Sequence, residues 1–309
     1  MLFLSDKDFK GYEFPDGIEF VKIKYSDLEK YRDNSEVFAI AGSRAMAIKA
    51  AEMNFPALKL FQLTSAGFDN VPIEKYREKG VFVSNAGSVY SIPIAETTIF
   101  SMLFMAKKLR KNVKNRRFKL LRRYRLITEI AGKQALIMGA GNIGTAIATR
   151  LSGFGLEIDG YDPYCGDKPQ FERIIRTREE LVRSLPSYDY IISTMPANKE
   201  TVGFIDTELI GVMKKTAVVV NVGRQAVFER DALYNALKRN ELGGAVLDMF
   251  EKLPNPITNK FRRLKNVLVL PGVSAISQEV NERLRECIYL NVTKVFDGEM
   301  PTNIVKGDA

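Results

Sequence analysis

The sequence predicts an α/β protein made of two doubly wound parallel-sheet domains, the second inserted into the first. Three observations carry that prediction. Short apolar runs alternate with helical patterns through the N-terminal third. After one long helix the alternation restarts with more strongly apolar, β-branched runs, and one amphipathic helix closes the chain. Strand–helix alternation puts helices on the faces of a parallel sheet, and strands apolar on both sides are buried on both faces. The 309 residues leave room for two cores, and 46% hydrophobic with 27% charged residues is a globular balance. The expected boundaries are residues 1–95 with 280–309 for one domain and 96–279 for the other.

In chain order, "MLFLS", "EFVKIK", "EVFAIAG", "LKLFQLTSAG" and "GVFVSNAGS" read as strands. Between them "SRAMAIKAAEMN" and "VPIEKYREKG" read as helices, the second closing at Gly80. A long helix is expected from Ile94, apolar in its first half and basic in its second. Then come the strands "KQALIMGAG", "LEIDGYDPY", "YDYIISTMP", "TAVVVNVGR", "GAVLDMF" and "NVLVLPG", most of them separated by helical stretches. The last helix, "SQEVNERLRECIYLNVTKVFDGE", ends near Gly298 and returns to the first domain.

The stretch "ALIMGAGNIGTAIATRL" sets Gly139, Gly141 and Gly144 in a GxGxxG array between an apolar strand and an amphipathic helix. In that setting the first glycine permits a tight turn, the second lets backbone approach a pyrophosphate, and the third lets helix and strand pack closely. The helix N-terminus adds N–H donors and the positive end of its dipole. Asp162 ends the next strand 18 residues after Gly144, where an acid accepts hydrogen bonds from the adenosine ribose. A carboxylate there repels a 2′-phosphate and no Arg or Lys follows at once, so NAD is expected over NADP. The second domain is therefore expected to be a Rossmann NAD-binding domain.

With this fingerprint in place, nearly the whole chain resembles the D-isomer-specific 2-hydroxyacid dehydrogenase family. The resemblance runs through "TSAGFDNVPIEKYREKGVFVSNAGSVYSIPIAE", "MGAGNIGTAIATRL", "STMPANKETVGFI", "VVNVGRQAVFERDALYNALKRNELGGAVLDMF", "NVLVLPG" and "FDGEMPTNIV". It implies that the Rossmann domain is inserted in a flavodoxin-like substrate domain, and that hydride passes between a nicotinamide and a small 2-hydroxy or 2-oxo acid. Arg224 falls at the family's catalytic arginine, which binds the substrate carboxylate and the oxygen where charge develops. Asp248 falls at the aspartate that orients the nicotinamide carboxamide, and Met195-Pro196 at the loop under the adenine side. Asn142 and Ile143 inside the glycine array, and Val222 and Gly223 before the arginine, join the implied coenzyme contacts. Ser65, Ala66 and Gly67 match the loop that receives the substrate carboxylate, and Ser88 and Tyr90 a second substrate loop.

Two family groups are missing. The proton-donating histidine is replaced by Gly272, and the glutamate that orients it by Leu253; Glu251 stands two residues too early. The chain contains no histidine at all. The losses are coupled, because a buried glutamate without its imidazole would be an unpaired charge. Losing a positioned general acid costs roughly 10²–10⁴-fold in rate. Tyr90, Ser274 and Lys252 are the substitute acids on offer, and a formate-like substrate would need none. Two readings follow, an oxidoreductase with an altered proton relay and an NAD-binding sensor or interaction protein without catalysis.

Residues 107–125 hold 11 Lys/Arg and no acid; without them 35 basic residues face 37 acidic ones. The formal charge of +9 is thus local. The segment is expected as a solvated arm near the interface of a homodimer, the interface being implied by the resemblance. A nucleic-acid or acidic-partner site is the competing reading, but no nucleic-acid motif accompanies it. Cys165 and Cys287 lack metal or disulfide spacing, so reduced thiols and no metal are expected. No signal peptide and no run near 18 apolar residues is read, so the expected location is cytoplasmic and away from membranes.

Overall fold

In the computed structural model, residues 1–109, 127–248 and 260–305 are described. The chain divides into two units, Met1–Tyr90 with Ser277–Ala309, and Ser91–Ile276.

The first unit is built on β1 (Leu2–Ser5), β2 (Glu19–Lys22), β3 (Val37–Gly42), β4 (Leu60–Leu63) and β5 (Phe82–Ser84). They pair in parallel in the order β2-β1-β3-β4-β5, the flavodoxin-like doubly wound order. Alternation sorts their side chains: Leu4, Ile40 and Phe61 enter one core, while Phe3, Ala39 and Leu60 enter the other. Helix α1 (Arg44–Ala51) starts where the Ser43 side chain accepts the Met46 N–H. Helix α2 (Ile73–Glu78) stops at Gly80, at φ +67°. There the N–H groups of Gly80 and Val81 reach the Arg77 and Tyr76 carbonyls at 2.9 Å each, the Schellman pattern that favours glycine.

Helix α3 (Gly87–Ala106) crosses from the first unit into the second. It starts seven residues earlier than the sequence predicts. Pro93 lies inside the helix, where it deprives the Val89 carbonyl of its intrahelical donor. By length and mean hydropathy (1.4), α3 also matches a membrane span, contrary to the expectation that no run comes near one. Its packing accounts for that composition: 56% of the window is buried, and Ala95, Ile99, Met102 and Met105 lie in the core of the second unit. The basic continuation from residue 110 lies outside the described residues.

The second unit contains β6 (Gln134–Met138), α4 (Asn142–Ser152), β7 (Glu157–Tyr161), β8 (Ile174–Ile175), α5 (Arg178–Ser184), β9 (Tyr190–Ser193), α6 (Thr207–Val212), β10 (Val218–Asn221), α7 (Arg230–Lys238), β11 (Gly244–Asp248) and β12 (Val267–Leu270). The strands form one parallel sheet in the order β12-β11-β10-β9-β6-β7-β8. That is the doubly wound dinucleotide-binding order with one added edge strand. Strand β8, two residues long, is too short to show a periodicity and was not expected. Leu136, Ile191 and Val219 fill the core on one face, and Ile137, Ile192 and Val220 that on the other.

Helix α8 (Val280–Phe296) packs in the first unit, burying Val280, Leu284, Ile288, Val292 and Val295 along one stripe. Asn291 falls on the same stripe and is fully buried. Its Nδ2 donates to Gln62 Oε1 (2.7 Å) and Ser84 Oγ (3.1 Å), and its Oδ1 accepts from Thr302 N (2.8 Å) and Oγ1 (2.9 Å). One amide thus ties α8, β4, β5 and the C-terminal segment together. Asn291→Leu strands several of these groups, at about 1–3 kcal/mol for each one left unpaired. The expected loss is about 2–4 kcal/mol, read as a lower urea midpoint for the first unit.

Candidate coenzyme and active site

Strands β6 and β9 are neighbours from which the chain winds in opposite directions, so their C-terminal ends form a switch point of the kind that binds ligands in such sheets. The Gly139–Gly144 turn follows β6, and Thr194–Pro196 follows β9. The glycines differ in what requires them. A Cβ on Gly144 would overlap the Gly139 carbonyl oxygen. Gly139 sits at φ +101°, and a Cβ there would come 2.5 Å from Thr194 Oγ1. Gly141 has an ordinary φ of −70°, and a Cβ there would meet nothing within 4 Å. The protein's own packing therefore explains two of the glycines, while the third faces open space at the N-terminus of α4. That is where a pyrophosphate needs to approach backbone, so this turn fits a dinucleotide. Exposed Asn142 and half-buried Ile143 complete the turn.

Asp162 lies just beyond β7. Its Oδ2 accepts the Ala140 N–H and its Oδ1 the Tyr164 N–H, each at 3.0 Å. Sequence spacing gave no hint of Lys168, whose half-buried ammonium donates to the Ala140 carbonyl (2.6 Å) and to Thr145 Oγ1 (3.2 Å). Ala140 is thereby held at both its backbone groups. Because a trans peptide points its C=O and N–H oppositely, the lysine's hold on the Ala140 carbonyl also sets where the Gly141 N–H points. Six residues of loop after Asp162 carry the lysine back, and no local pattern announces that return.

Val222 and Gly223 turn under the end of β10, their N–H groups donating to the Ser193 carbonyl at 3.1 and 3.0 Å. A Cβ on Gly223 would come 2.8 Å from the Met195 carbonyl oxygen. Buried Asn221 shapes this turn, accepting the Gly223 N–H (3.1 Å) and donating to the Arg224 carbonyl (3.3 Å). Half-buried Arg224 leaves the turn in extended conformation. The Met195 side chain packs into the core among Met138 and Ile205, so Pro196 is the exposed member of that pair.

Asp248, at the end of β11, is 4% exposed. Its Oδ1 accepts the N–H groups of Gly272 (2.7 Å) and Val273 (3.2 Å), and its Oδ2 that of Ser274 (3.0 Å). The carboxylate therefore holds the loop at 272–274. Gly272 itself is at φ +77°, the left-handed region that favours glycine. The Ser274 hydroxyl is buried and has no hydrogen-bond partner among the described residues. Leu253, Glu251 and Lys252 lie outside the described residues.

Within the first unit, Ser65 Oγ donates to the Gly67 carbonyl (2.7 Å) and Asn85 Nδ2 to the Ala66 carbonyl (2.9 Å). Ser88 Oγ accepts from Asn303 Nδ2 (3.0 Å). The Tyr90 hydroxyl donates to the Thr64 carbonyl (2.6 Å), and burial, with Cys287 adding to it, pushes its pKa above the usual phenol value. Tyr90 braces the carboxylate-loop candidate and is a poor substitute acid.

The strand order, the open second glycine and the acid after β7 define a dinucleotide-binding domain. Residues 97–274 match the family profile described as "D-isomer specific 2-hydroxyacid dehydrogenase, NAD binding domain". The chain belongs to the D-isomer-specific 2-hydroxyacid dehydrogenase family, and its second unit carries that family's NAD-binding domain. It is 31% identical over 288 residues to D-3-phosphoglycerate dehydrogenase of Methanocaldococcus jannaschii, covering 90% of this chain and 53% of the relative. The chain thus spans about half the length of that relative. It is 31% identical over 294 residues to glyoxylate reductase of Thermococcus litoralis, covering 91% of this chain and 86% of the relative. Among solved structures, a D-isomer specific 2-hydroxyacid dehydrogenase family protein from Aeromonas salmonicida superposes with TM-score 0.78 at 24% identity, covering 99% of this chain and 98% of that one. An acyclic imino acid reductase in complex with NADPH and D-Arg gives 0.76 at 18% identity, with 99% and 100% covered. These two likenesses show the fold.

The glycines separate packing from binding. Gly141→Ala is expected to keep the thermal midpoint while weakening NADH at least tenfold in a fluorescence titration. Gly144→Ala is expected to lower the midpoint itself. Lys168→Met is expected to weaken NADH and ADP by about fivefold, the scale of one half-exposed charged hydrogen bond, and to leave adenosine unchanged in calorimetry.

Proposed function

We propose that this protein is an NAD-dependent oxidoreductase that moves a hydride between nicotinamide and a small 2-hydroxy or 2-oxo acid without an imidazole proton donor. The observation that carries this reading is the open second glycine in a turn otherwise closed by the protein's own atoms. When bound, the coenzyme supplies or accepts the hydride. Asp162 is proposed to select NAD over NADP at the ribose, and Gly139–Gly144 to hold the pyrophosphate. In the first unit the loop of Ser65, Ala66 and Gly67 is proposed to receive the substrate carboxylate, with Ser88 beside it.

Arg224 is proposed as the catalytic residue, its guanidinium stabilising charge at the substrate oxygen from a turn that Asn221 holds. Asp248 is proposed as a positioning residue for the loop at 272–274. With Tyr90 donating to Thr64, the proton at the substrate oxygen is proposed to exchange with water. The reading includes a cytoplasmic homodimer with Cys165 and Cys287 as thiols.

A second reading, an NAD-binding family member without catalysis, is supported by the turn at 272–274, where the resemblance implies the family's imidazole: its backbone N–H groups are clamped to Asp248. NADH oxidation with a panel of 2-oxo acids at high protein concentration separates the two. Under the first reading, turnover is expected to fall roughly 10²–10³-fold in Arg224→Ala, the cost of losing one oxyanion donor. With no histidine in the chain, it is also expected to show no break between about pH 6 and 7, where an imidazole titrates. No turnover above Arg224→Ala, with NADH still bound, would sink the first reading and leave the second.

A further inference from the structure

Tyr164 is the most exposed aromatic side chain among the described residues, at 69%, yet it is tied at both ends. Its N–H donates to Asp162 Oδ1 at 3.0 Å, and its hydroxyl donates to Glu200 Oε2. Glu200 belongs to the loop after β9, and that loop is braced from within. Asn198 Oδ1 accepts the N–H groups of Glu200 (3.1 Å) and Thr201 (2.9 Å), and Thr201 Oγ1 donates to the Pro196 carbonyl (2.7 Å). The Glu200 carboxylate therefore reaches Tyr164 from a fixed base. Its hydrogen bond holds the Tyr164 pKa above the usual phenol value, so the hydroxyl stays a donor.

Strand order places this bridge. Strands β7 and β9 are the two neighbours of β6. A link between the loops that follow them crosses in front of the end of β6, where the glycine turn lies. Two strand spacings, roughly 10 Å, separate β7 from β9, a gap that a tyrosine and a glutamate side chain span together. The ring is thus held over the crevice between Asp162 and the loop of exposed Pro196. Fixing an exposed ring costs side-chain entropy and buries little apolar area in return. A flat apolar face laid against the ring offsets that cost, and a purine base is such a face.

We propose that Tyr164 stacks on the adenine of the coenzyme, and that Glu200 is the residue that positions its ring. With Asp162 at the ribose, the base falls beside Tyr164, two residues further on, so the role of Tyr164 rests on that reading of Asp162. The full-length protein is titrated calorimetrically with NADH, with ADP and with reduced nicotinamide mononucleotide, which lacks the base. Tyr164→Leu removes the ring and is expected to weaken NADH and ADP by about fivefold or more, the lower end of losses for a stacked base, while leaving the mononucleotide unchanged. Tyr164→Phe and Glu200→Ala keep the ring and cut the tether, and each is expected to weaken NADH about threefold, the scale of one hydrogen bond. Their double variant is expected to be no weaker than either alone, and Glu200→Gln, which keeps an acceptor, to bind within twofold of wild type. Both side chains are exposed, so the thermal midpoint is expected to hold in all of these variants. A Tyr164→Leu variant that binds NADH within twofold of wild type overturns the proposal. So does one that weakens the mononucleotide as much as NADH, or a double variant whose two losses add. Asp162→Ala tests the underlying reading separately, since unchanged NADH affinity there overturns the ribose assignment whatever Tyr164 does.

Discussion

The approach of the Gly139–Gly144 turn to Thr194 is the contact on which the ligand face of the second unit depends. Gly139 can meet Thr194 Oγ1 only without a side chain, and Gly144 can meet the Gly139 carbonyl only on the same terms. Thr194 Oγ1 returns the contact by donating to the Gly139 carbonyl at 2.9 Å. Gly223 repeats the device against Met195, so three successive strand ends are drawn together by missing Cβ atoms. The turn that carries Arg224 and the turn that carries Gly141 are therefore built from one piece of packing. A change that pushes Thr194 outward reaches both.

Asp248 shows how one buried carboxylate organises a loop. A buried carboxylate needs donors, and here three consecutive backbone N–H groups supply them. That arrangement needs Gly272 in the left-handed region. Gly272 thus lets the chain turn back onto Asp248. From sequence alone, Gly272 and Leu253 form an apolar pair. The structure adds a polar half, in which the aspartate and the backbone satisfy each other.

The features legible in the sequence are those that local pattern encodes. Alternation marked the long strands of both sheets, and GxGxxG followed by an acid marked the coenzyme turn, because each depends on residues close in the chain. Gly80 was legible as a helix end for the same reason. The first turns of helix α3, from Gly87 to Pro93, were not legible, because a helix that contains a proline departs from the usual local pattern. Lys168 and the clamp on Gly272 were not legible, since the lysine returns through an irregular loop and the clamp joins residues 24 to 26 apart. Met195 was assigned to the adenine side by motif position, but its side chain is spent on the core, which a motif does not encode.

The chemistry left to such a site follows from what each lost group did. Hydride transfer depends on coenzyme placement, and the turn that places it keeps every glycine it needs. Charge at the substrate oxygen depends on a cation, and Arg224 keeps a turn shaped by buried Asn221. Under the proposed reading, proton delivery alone lacks a side-chain donor. Of the residues that the sequence offers in exchange, Tyr90 is already donating to Thr64. Ser274 is buried beside the clamp, and a hydroxyl with no base to recharge it relays a proton poorly. Under the proposed reading the cost that remains is forming an unprotonated alkoxide as hydride arrives, with Arg224 left to stabilise its charge before water supplies the proton. Restoring a side chain at 272 would have to overcome the backbone as well as the chemistry, because an L-residue at φ +77° costs about 1–2 kcal/mol and its relief would loosen the three amides on Asp248.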